Sequence, residues 1–349
     1  MNSASLPLTI REVDRDAPAP SPFLPGTKIQ FAWDSTSLGA LKQCPRLYQY
    51  VMIEGWSPRD ESYHLRFGIA FHHALENYDR LKCEGVTHQD AMRAIVGDLM
   101  VATKDWDPDP MVKEGQYKNR NTLLSLTIDY LDHYFHDVAE TFILDDGRPA
   151  VELSFRFELD WGPQHQTHST PEELEKLLNT PEGETVGQPY LLCGHLDRVV
   201  TYGGNLFVMD RKTTTSTPGS YYFDQFEPNN QMTLYTLASQ VILNSPVKGV
   251  IIDAAQILLD KPNQFTRGIT YRTPDQLGEW LGDLADILLE AEAYATRGHW
   301  PMRDTSCGMY GGCKFREVCS KSPHVRERFL ESKFVKLPEE ERWNPLKPR

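Results

Sequence analysis

Two aspartates and a lysine carry the most chemical information in this 349-residue chain. Asp197 sits in Gly194-His195-Leu196-Asp197-Arg198-Val199; Asp210 and Lys212 sit in Val208-Met209-Asp210-Arg211-Lys212-Thr213. Between these apolar runs lies Tyr202-Gly203-Gly204-Asn205, and a Gly-Gly pair in that position reads as a two-residue hairpin loop. With Gly203 and Gly204 as the loop, Tyr202 pairs with Asn205, and counting outward puts Asp197 opposite Asp210. Opposed residues on one sheet face have Cβ atoms roughly 4.5–5.5 Å apart. Lys212, two residues further on, shares that face. Two carboxylates this close repel unless a cation lies between them. Oxygen ligands beside an ammonium suit Mg²⁺ or Mn²⁺ and an activated water. The reading depends on register, because a slip of one residue turns Asp197 to the other face and leaves an exposed hairpin with ordinary charges.

Other residues could join that chemistry. His72 lies in Gly68-Ile69-Ala70-Phe71-His72-His73-Ala74-Leu75-Glu76, with Glu76 one turn on along the same helical face. A neutral imidazole binds divalent metals readily. Gln231 and Tyr235 are four apart and share a face; the plainer alternative is a Tyr in the core with Gln at its solvent edge. Cys44, Cys307, Cys313 and Cys319 could hold a four-iron, four-sulfur cluster, or zinc, which also accepts four Cys. Cys83 and Cys193 read as free thiols, Cys193 as a small strand residue. Lys314, Arg316, Lys321, Arg326 and Arg328 suit either a phosphate backbone or a solvated face.

The elements that must position these residues follow from periodicity. Residues 1–27, with Ala17-Pro18-Ala19-Pro20-Ser21-Pro22, read as a disordered or loosely attached arm. Asp34 and Ser35 are caps before a short helix carrying Leu38, Leu41, Cys44 and Tyr48. Helices are expected over 65–82, 87–104 and about 119–140, the second opening on Thr87-x-x-Asp90. Val151, Leu153, Phe155, Phe157 and Leu159 alternate with polar residues, the mark of a half-buried strand. Residues 162–188 are a polar excursion, and the 190–213 hairpin follows. A helix from near Pro228 to about 243, strands over 247–259 and 264–272, and a helix from Thr273-Pro274 to near Gly298 complete the pattern. The last helix carries Leu277, Leu281, Leu284, Leu288 and Ala291 on one face. This mixture argues for an α/β domain with a central sheet.

Composition sets bounds. A 40% hydrophobic content suits a globular core, and no apolar run approaches the ~20 residues of a membrane span. The start lacks a basic segment leading into an apolar one, so a cytoplasmic protein is expected. There, cysteines are metal ligands or free thiols more often than disulfides. The net charge of −13 counts against simple nucleic-acid binding,. The charge is uneven, however: residues 301–349 hold eleven Lys and Arg against seven Asp and Glu. No Gly-x-x-x-x-Gly-Lys-Ser/Thr phosphate loop is present, so the chain acts alone or beside a separate motor or recombination partner.

Asp197 with Asp210-x-Lys212 resembles the PD-(D/E)xK nuclease superfamily, in particular its RecB-like branch with CRISPR-associated and AddB-type iron–sulfur exonucleases. The Gly68–Glu76 segment, Gln231-x-x-x-Tyr235 and the split cysteines that begin at Cys44-Pro45-Arg46 fit that branch in order, over about residues 34–320. Leu196 replaces the Pro of the family name, Arg211 stands where an aromatic or apolar residue is common, and the Cys-x5-Cys-x5-Cys spacing has a longer first gap than usual. The resemblance implies a restriction-endonuclease-like central mixed sheet flanked by helices. It implies one nuclease domain over 28–322, a helical insertion at about 65–145, a Cys-bound cluster joining the N- and C-terminal parts, and a basic tail at 323–349. It selects His72 rather than His73 as a metal ligand with Asp197, Asp210 and the Arg211 carbonyl. It makes Asp197, Asp210 and Lys212 catalytic, gives Gln231 and Tyr235 nucleic-acid contacts, and favours a 4Fe-4S cluster on the four cysteines. The implied function is a DNA exonuclease of a bacterial cytosol or phage-infected cell, working in recombination, repair or phage DNA processing, with a separate helicase, recombinase or CRISPR adaptation protein as partner. The alternatives are a degenerate nucleic-acid- or partner-binding module, and a different hydrolase or a redox protein built on the cluster.

Overall fold

The computed structural model describes residues 8–9, 20–59, 62–106, 111–163, 187–309 and 312–347. Leu8–Thr9 (β1) and Ala32–Trp33 (β2) are short strands. Asp34 caps Ser35–Gln43 (α1) in a capping box with Ser37, which satisfies two orphan helix donors reciprocally. The helix does not run on through Tyr48 as its spacing predicts. Pro45 disfavours helical geometry in the residue before it, Cys44 is extended, and Pro45–Tyr48 (α2) restarts with the proline in its first turn. Trp56–Pro58 (β3) precedes the helices Tyr63–Cys83 (α3), His88–Ala102 (α4), Lys113–Tyr117 (α5) and Arg120–His133 (α6). Ser62, Thr87 and Asn119 cap α3, α4 and α6. Next come Glu140–Thr141 (β4), Val151–Leu159 (β5), Leu191–Tyr202 (β6) and Asn205–Thr214 (β7). Ser220–Asp224 (α7), Asn230–Leu243 (α8), Val247–Gln256 (β8), Gln264–Tyr271 (β9) and Pro274–Arg297 (α9) follow. Arg316–Cys319 (α10), Arg326–Lys333 (α11) and Phe334–Lys336 (β10) lie beyond.

These elements gather into two compact units. One is built from Met1–Arg59, Ser154–Gly194 and Pro274–Arg349, the other from Asp60–Leu153 and His195–Thr273.

In the first unit β1 pairs antiparallel with β5, β2 pairs parallel with the start of β6, and β10 pairs antiparallel with β3. Its core stacks Tyr48 between Trp33 and Trp300, with ring centroids 5.6 and 5.1 Å apart. Along α9 the buried face includes Leu277, Trp280, Leu284, Leu288 and Ala291; Trp280 is buried, while the expected Leu281 is partly exposed. The arm expected over 1–27 is described only at 8–9 and from 20. Leu8 pairs with Leu159, and the Leu24 amide donates to Ile29 O across a turn. Residues 323–347 include α11 and β10, and the Trp343 indole donates to Asp34. Most of the predicted 162–188 excursion lies outside the described residues.

The second unit carries the hairpin. Its strands run β6–β7–β8–β9, with β4 on the edge of β6. The β6–β7 and β8–β9 pairs are antiparallel and β7–β8 is parallel, bridged by α8 as a parallel crossover requires,. β8 is buried almost without interruption, as a strand covered on both faces must be. Phe67, Phe71 and Leu75 of α3 recur every fourth residue. With Ile95, Leu99, Leu123, Leu126 and Tyr130 of α4 and α6, they pack against Ala255 at the end of β8. Each fully buried side chain of this size contributes about 1.5–3 kcal/mol. The fold is therefore mixed α/β, a central mixed sheet flanked by helices.

Candidate active site

The turn sets the geometry. Gly203 and Gly204 both have positive φ, +55° and +74°, which a type I′ turn demands and glycine adopts without strain. Tyr202 pairs with Asn205, and the ladder continues outward to Arg198 opposite Met209. The next residues outward are Asp197 and Asp210, in the register expected. Beyond that point the Asp197 carboxylate, not a strand carbonyl, accepts the Arg211 amide at 3.0 Å. The β6–β7 ladder ends there, and the acidic pair lies just beyond its last paired residues.

Four elements of the second unit supply the surrounding groups. His72, from α3, places Nδ1 3.1 Å from Asp197 Oδ2. Lys212 Nζ lies 2.9 Å from Asp210 Oδ1 and 2.8 Å from Oδ2. Gln231, from the first turn of α8, accepts from Lys212 Nζ at 3.3 Å and donates to the Tyr235 hydroxyl at 2.9 Å. Tyr222 of α7 lies within electrostatic reach of Lys212 and Asp210, and its phenol hydrogen-bonds Thr214.

The electrostatics follow from burial opposed by close charge. Burial alone would raise the Asp197 carboxyl, but His72, Lys212 and the Arg211 amide together hold it well below the usual range. Asp210 is 1% exposed; its burial outweighs the pull of Lys212, Asp197 adds repulsion, and its carboxyl is raised. Burial opposes the Lys212 ammonium, yet Asp210 and Asp197 more than offset it, so its pKa is raised and it stays charged at neutral pH. His72 is likewise raised, with Asp197 overcoming burial.

Asp210 Oδ2 is a buried oxygen that receives no hydrogen bond in good geometry, although the ammonium is close. A bare carboxylate oxygen on Asp210, with the Asp197 carboxylate and its His72 neighbour close by, fits a hard divalent cation,. Among the described residues no three His, Cys, Asp or Glu side chains converge on one metal position. His72 and Lys212 are instead drawn directly onto the two carboxylates.

The sequence matches the PD-(D/E)XK nuclease superfamily over residues 33–320. The chain belongs to that superfamily. No curated protein matches it. Membership supports a phosphodiester hydrolase in general terms, and the superfamily generally uses Mg²⁺ or Mn²⁺.

In this superfamily member Arg211 has a role its sequence position did not suggest. Its side chain leaves the opposite sheet face, only 3% exposed, and donates to Asp79 at 2.7 Å. Asp79 stands two turns beyond His72 on α3. It also lies 3.7 Å from Arg198, which is 3.5 Å from Asp137. Arg267 joins Asp137 to Asp253 at 2.6 and 3.0 Å, and Tyr130 donates to Asp253 at 2.6 Å. The seven-residue step from His72 to Asp79 was the available signal, since it puts both on one helical face. Lys118 was missed too. It is 2% exposed, donates to Thr213 at 2.9 Å and lies 4.4 Å over the Phe67 ring. Burial lowers its pKa to about 8.

The four cysteines singled out for a cluster lie in the first unit, all as free thiols. Cys44, at the α1–α2 break, accepts from the Arg303 amide at 3.4 Å. The Cys313 amide donates to Cys307 O at 3.0 Å. Burial pushes the Cys319 thiol up; Arg46 opposes this, while Cys313 and Cys44 add to it. Cys44, Cys313 and Cys319 are thus electrostatic neighbours, a donor set suited in type to a thiophilic metal, although their side chains do not converge as a ready-made cage. Cys193 is a buried strand residue whose thiol burial pushes up to about 12. Of the basic residues after them, Arg326 donates to the Lys321 and Cys319 carbonyls, and Lys314 and Lys321 lie over the Phe315 and Phe329 rings.

Proposed function

We propose that this protein is a metal-dependent deoxyribonuclease that trims DNA ends or single strands. The reading rests chiefly on the Gly203-Gly204 hairpin register, which sets Asp197 and Asp210 side by side with Lys212 and His72 at their edges. His72, Asp197, Asp210 and the Arg211 carbonyl would hold Mg²⁺ or Mn²⁺. The ion supplies Lewis acidity and a bound water of lowered pKa. Asp197, kept ionised by its surroundings, is a permanent anionic ligand. Lys212 stays protonated, so it is a donor and cation rather than a general base: it holds the attacking water by hydrogen bond and offsets charge developing on the phosphate. Gln231 keeps the Lys212 ammonium aimed along the strand and hands its own amide to Tyr235, so both face the strand being cut. The basic residues of 301–349 supply backbone contacts that the acidic remainder does not.

We further propose that Cys44, Cys307, Cys313 and Cys319 hold a 4Fe-4S cluster that ties distant stretches of the first unit together; a loop of that length, once closed, removes much unfolded-state freedom. Anaerobic purification should give broad visible absorbance and about four irons per chain. Colourless protein binding one zinc instead would replace the cluster with a structural zinc site.

The function is tested by cleavage of end-labelled single- and double-stranded DNA with Mn²⁺ or Mg²⁺, beside EDTA and Asp210→Ala. Metal-dependent cutting, lost in Asp210→Ala, is the expected result, and the product ladder separates exonuclease from endonuclease action. A folded protein that binds DNA and cuts nothing under either metal would instead be a binding module.

A further inference from the structure

Directly after the catalytic stretch of β7 the chain makes a short aromatic helix, α7, with the sequence Ser220-Tyr221-Tyr222-Phe223-Asp224. Two of its neighbours hold it in place. The Phe223 ring lies where a side chain at position 268 would be: a Cβ added to Gly268 would stand 2.2 Å from Phe223 Cδ1. Gly268 of β9 thus admits the ring, and no other residue would. Phe226 is buried, packs edge-on to Tyr222 with centroids 5.8 Å apart, and its carbonyl accepts from Arg272 at 2.9 Å.

That anchoring fixes where the two tyrosines go. Tyr222 is half-buried and turned toward Lys212 and Asp210. Tyr221, one residue earlier, is 91% exposed. A large aromatic ring held almost wholly in water contributes nothing to the core, yet its backbone is pinned by two packed phenylalanines, and the next residue, Tyr222, reaches the Lys212 and Asp210 charges. A rigid platform of this kind suits a flat apolar partner that arrives from solution. An unpaired nucleobase is such a partner, because every base has a π-face and stacking on an aromatic side chain is tolerant of sequence. A base inside a duplex is already stacked on both sides and cannot use it.

We infer that Tyr221 is a base-stacking platform that seats an unpaired nucleotide next to the scissile phosphate, so that this site selects single-stranded DNA. The inference rests on the nuclease reading above and adds the form of the substrate. The nucleotide's phosphate lies toward Tyr222 and Lys212 while its base leans outward on the Tyr221 ring. Specificity for unpaired ends then comes from this helix and not from the metal ligands.

The test compares wild-type protein with Tyr221→Ala and Tyr221→Trp. Because Tyr221 packs against nothing in the core, both variants fold, and matching thermal melts check this. Binding is measured by fluorescence anisotropy in EDTA, where no cutting occurs, using a short labelled oligothymidylate and a blunt duplex of equal length. Loss of one stacked base corresponds to a roughly tenfold rise in Kd for Tyr221→Ala on the single strand. Tyr221→Trp keeps wild-type affinity or improves it, and duplex binding is unchanged in both. In the cleavage assay Tyr221→Ala raises KM for single strands and leaves kcat close to wild type. Equal single-strand affinity for wild type and Tyr221→Ala overturns the platform while wild-type cutting keeps the nuclease reading. A wild-type protein that neither binds nor cuts DNA overturns both.

Discussion

Removing the Asp79 carboxylate tests whether the buried charge network holds the active site together. Asp79 accepts from Arg211 at 2.7 Å and lies 3.7 Å from Arg198, and all three side chains are less than a tenth exposed. Solvent therefore screens them little. At an effective dielectric of 20, unit charges about 4 Å apart attract by roughly 4 kcal/mol. Arg198 keeps Asp137 at 3.5 Å, so Arg211 is the group left without its main partner. Breaking a buried pair from one side costs about 3–5 kcal/mol, and Asp79→Ala should cost that much. Arg211 stands between Asp210 and Lys212, so cleavage should fall as well, even at temperatures far below the melt. Urea denaturation followed by tryptophan fluorescence gives the first number and single-turnover cleavage the second. The companion variant is Asp79→Leu/Arg211→Met, which replaces the pair with apolar groups of similar bulk. Such replacements are often neutral or stabilising, so most of the lost stability should return, and the Arg211 main-chain carbonyl is untouched. An Asp79→Ala protein within about 1 kcal/mol of wild type, the scale of a surface ion pair, would refute the reasoning, as would a double variant no better than the single one.

Three further outcomes are expected. Lys212→Ala should lower the cleavage rate by about 10² or more, the scale of losing one transition-state donor, while single-strand binding in EDTA changes far less. At subsaturating Mn²⁺, activity should rise with pH through the His72 pKa, which lies above 6.5, because the ion competes with the imidazole proton; His72→Ala should flatten that rise. Lys118 holds its proton less tightly folded, with a pKa near 8, than unfolded, at 10.5. Between those values the unfolded chain binds more protons, so this lysine's destabilisation is full below about pH 8 and relieved above 10.5. Lys118→Met should therefore be more stable at pH 7 by up to about 3 kcal/mol, with the gain shrinking toward pH 10 in thermal melts.

The parts of this site written in local sequence were legible, and those written in packing were not. The hairpin register followed from Gly203-Gly204, because a two-residue loop leaves one way to count outward. Most of the buried face of α9 followed from its spacing, and Pro45 explains why α1 stopped early. Asp79 and Arg211, by contrast, are 132 residues apart, and nothing in the residues around either one announces the other. Lys118 is exposed on any propensity argument; only the packing of α3 and α6 over the sheet buries it. Spacing alone cannot give the directions of the cysteine thiols.

β7 joins the two halves of this account. Successive side chains of a strand point to opposite faces, so Asp210-Arg211-Lys212 divides its labour by alternation. Asp210 and Lys212 share the face of Asp197, where His72 and Gln231 make their contacts, while Arg211 faces α3 and α6 and is clamped by Asp79. An apolar residue at 211 would hold the strand by packing alone. Arg211 holds it by charge, and that choice requires Asp79 on the helix that also carries His72. The same helix thus fixes the strand from behind and presents His72 to Asp197, and the two contacts are two helical turns apart. A shift of α3 by one turn would break both at once, which makes the Asp79–Arg211 pair a register lock for His72 as well as a source of stability.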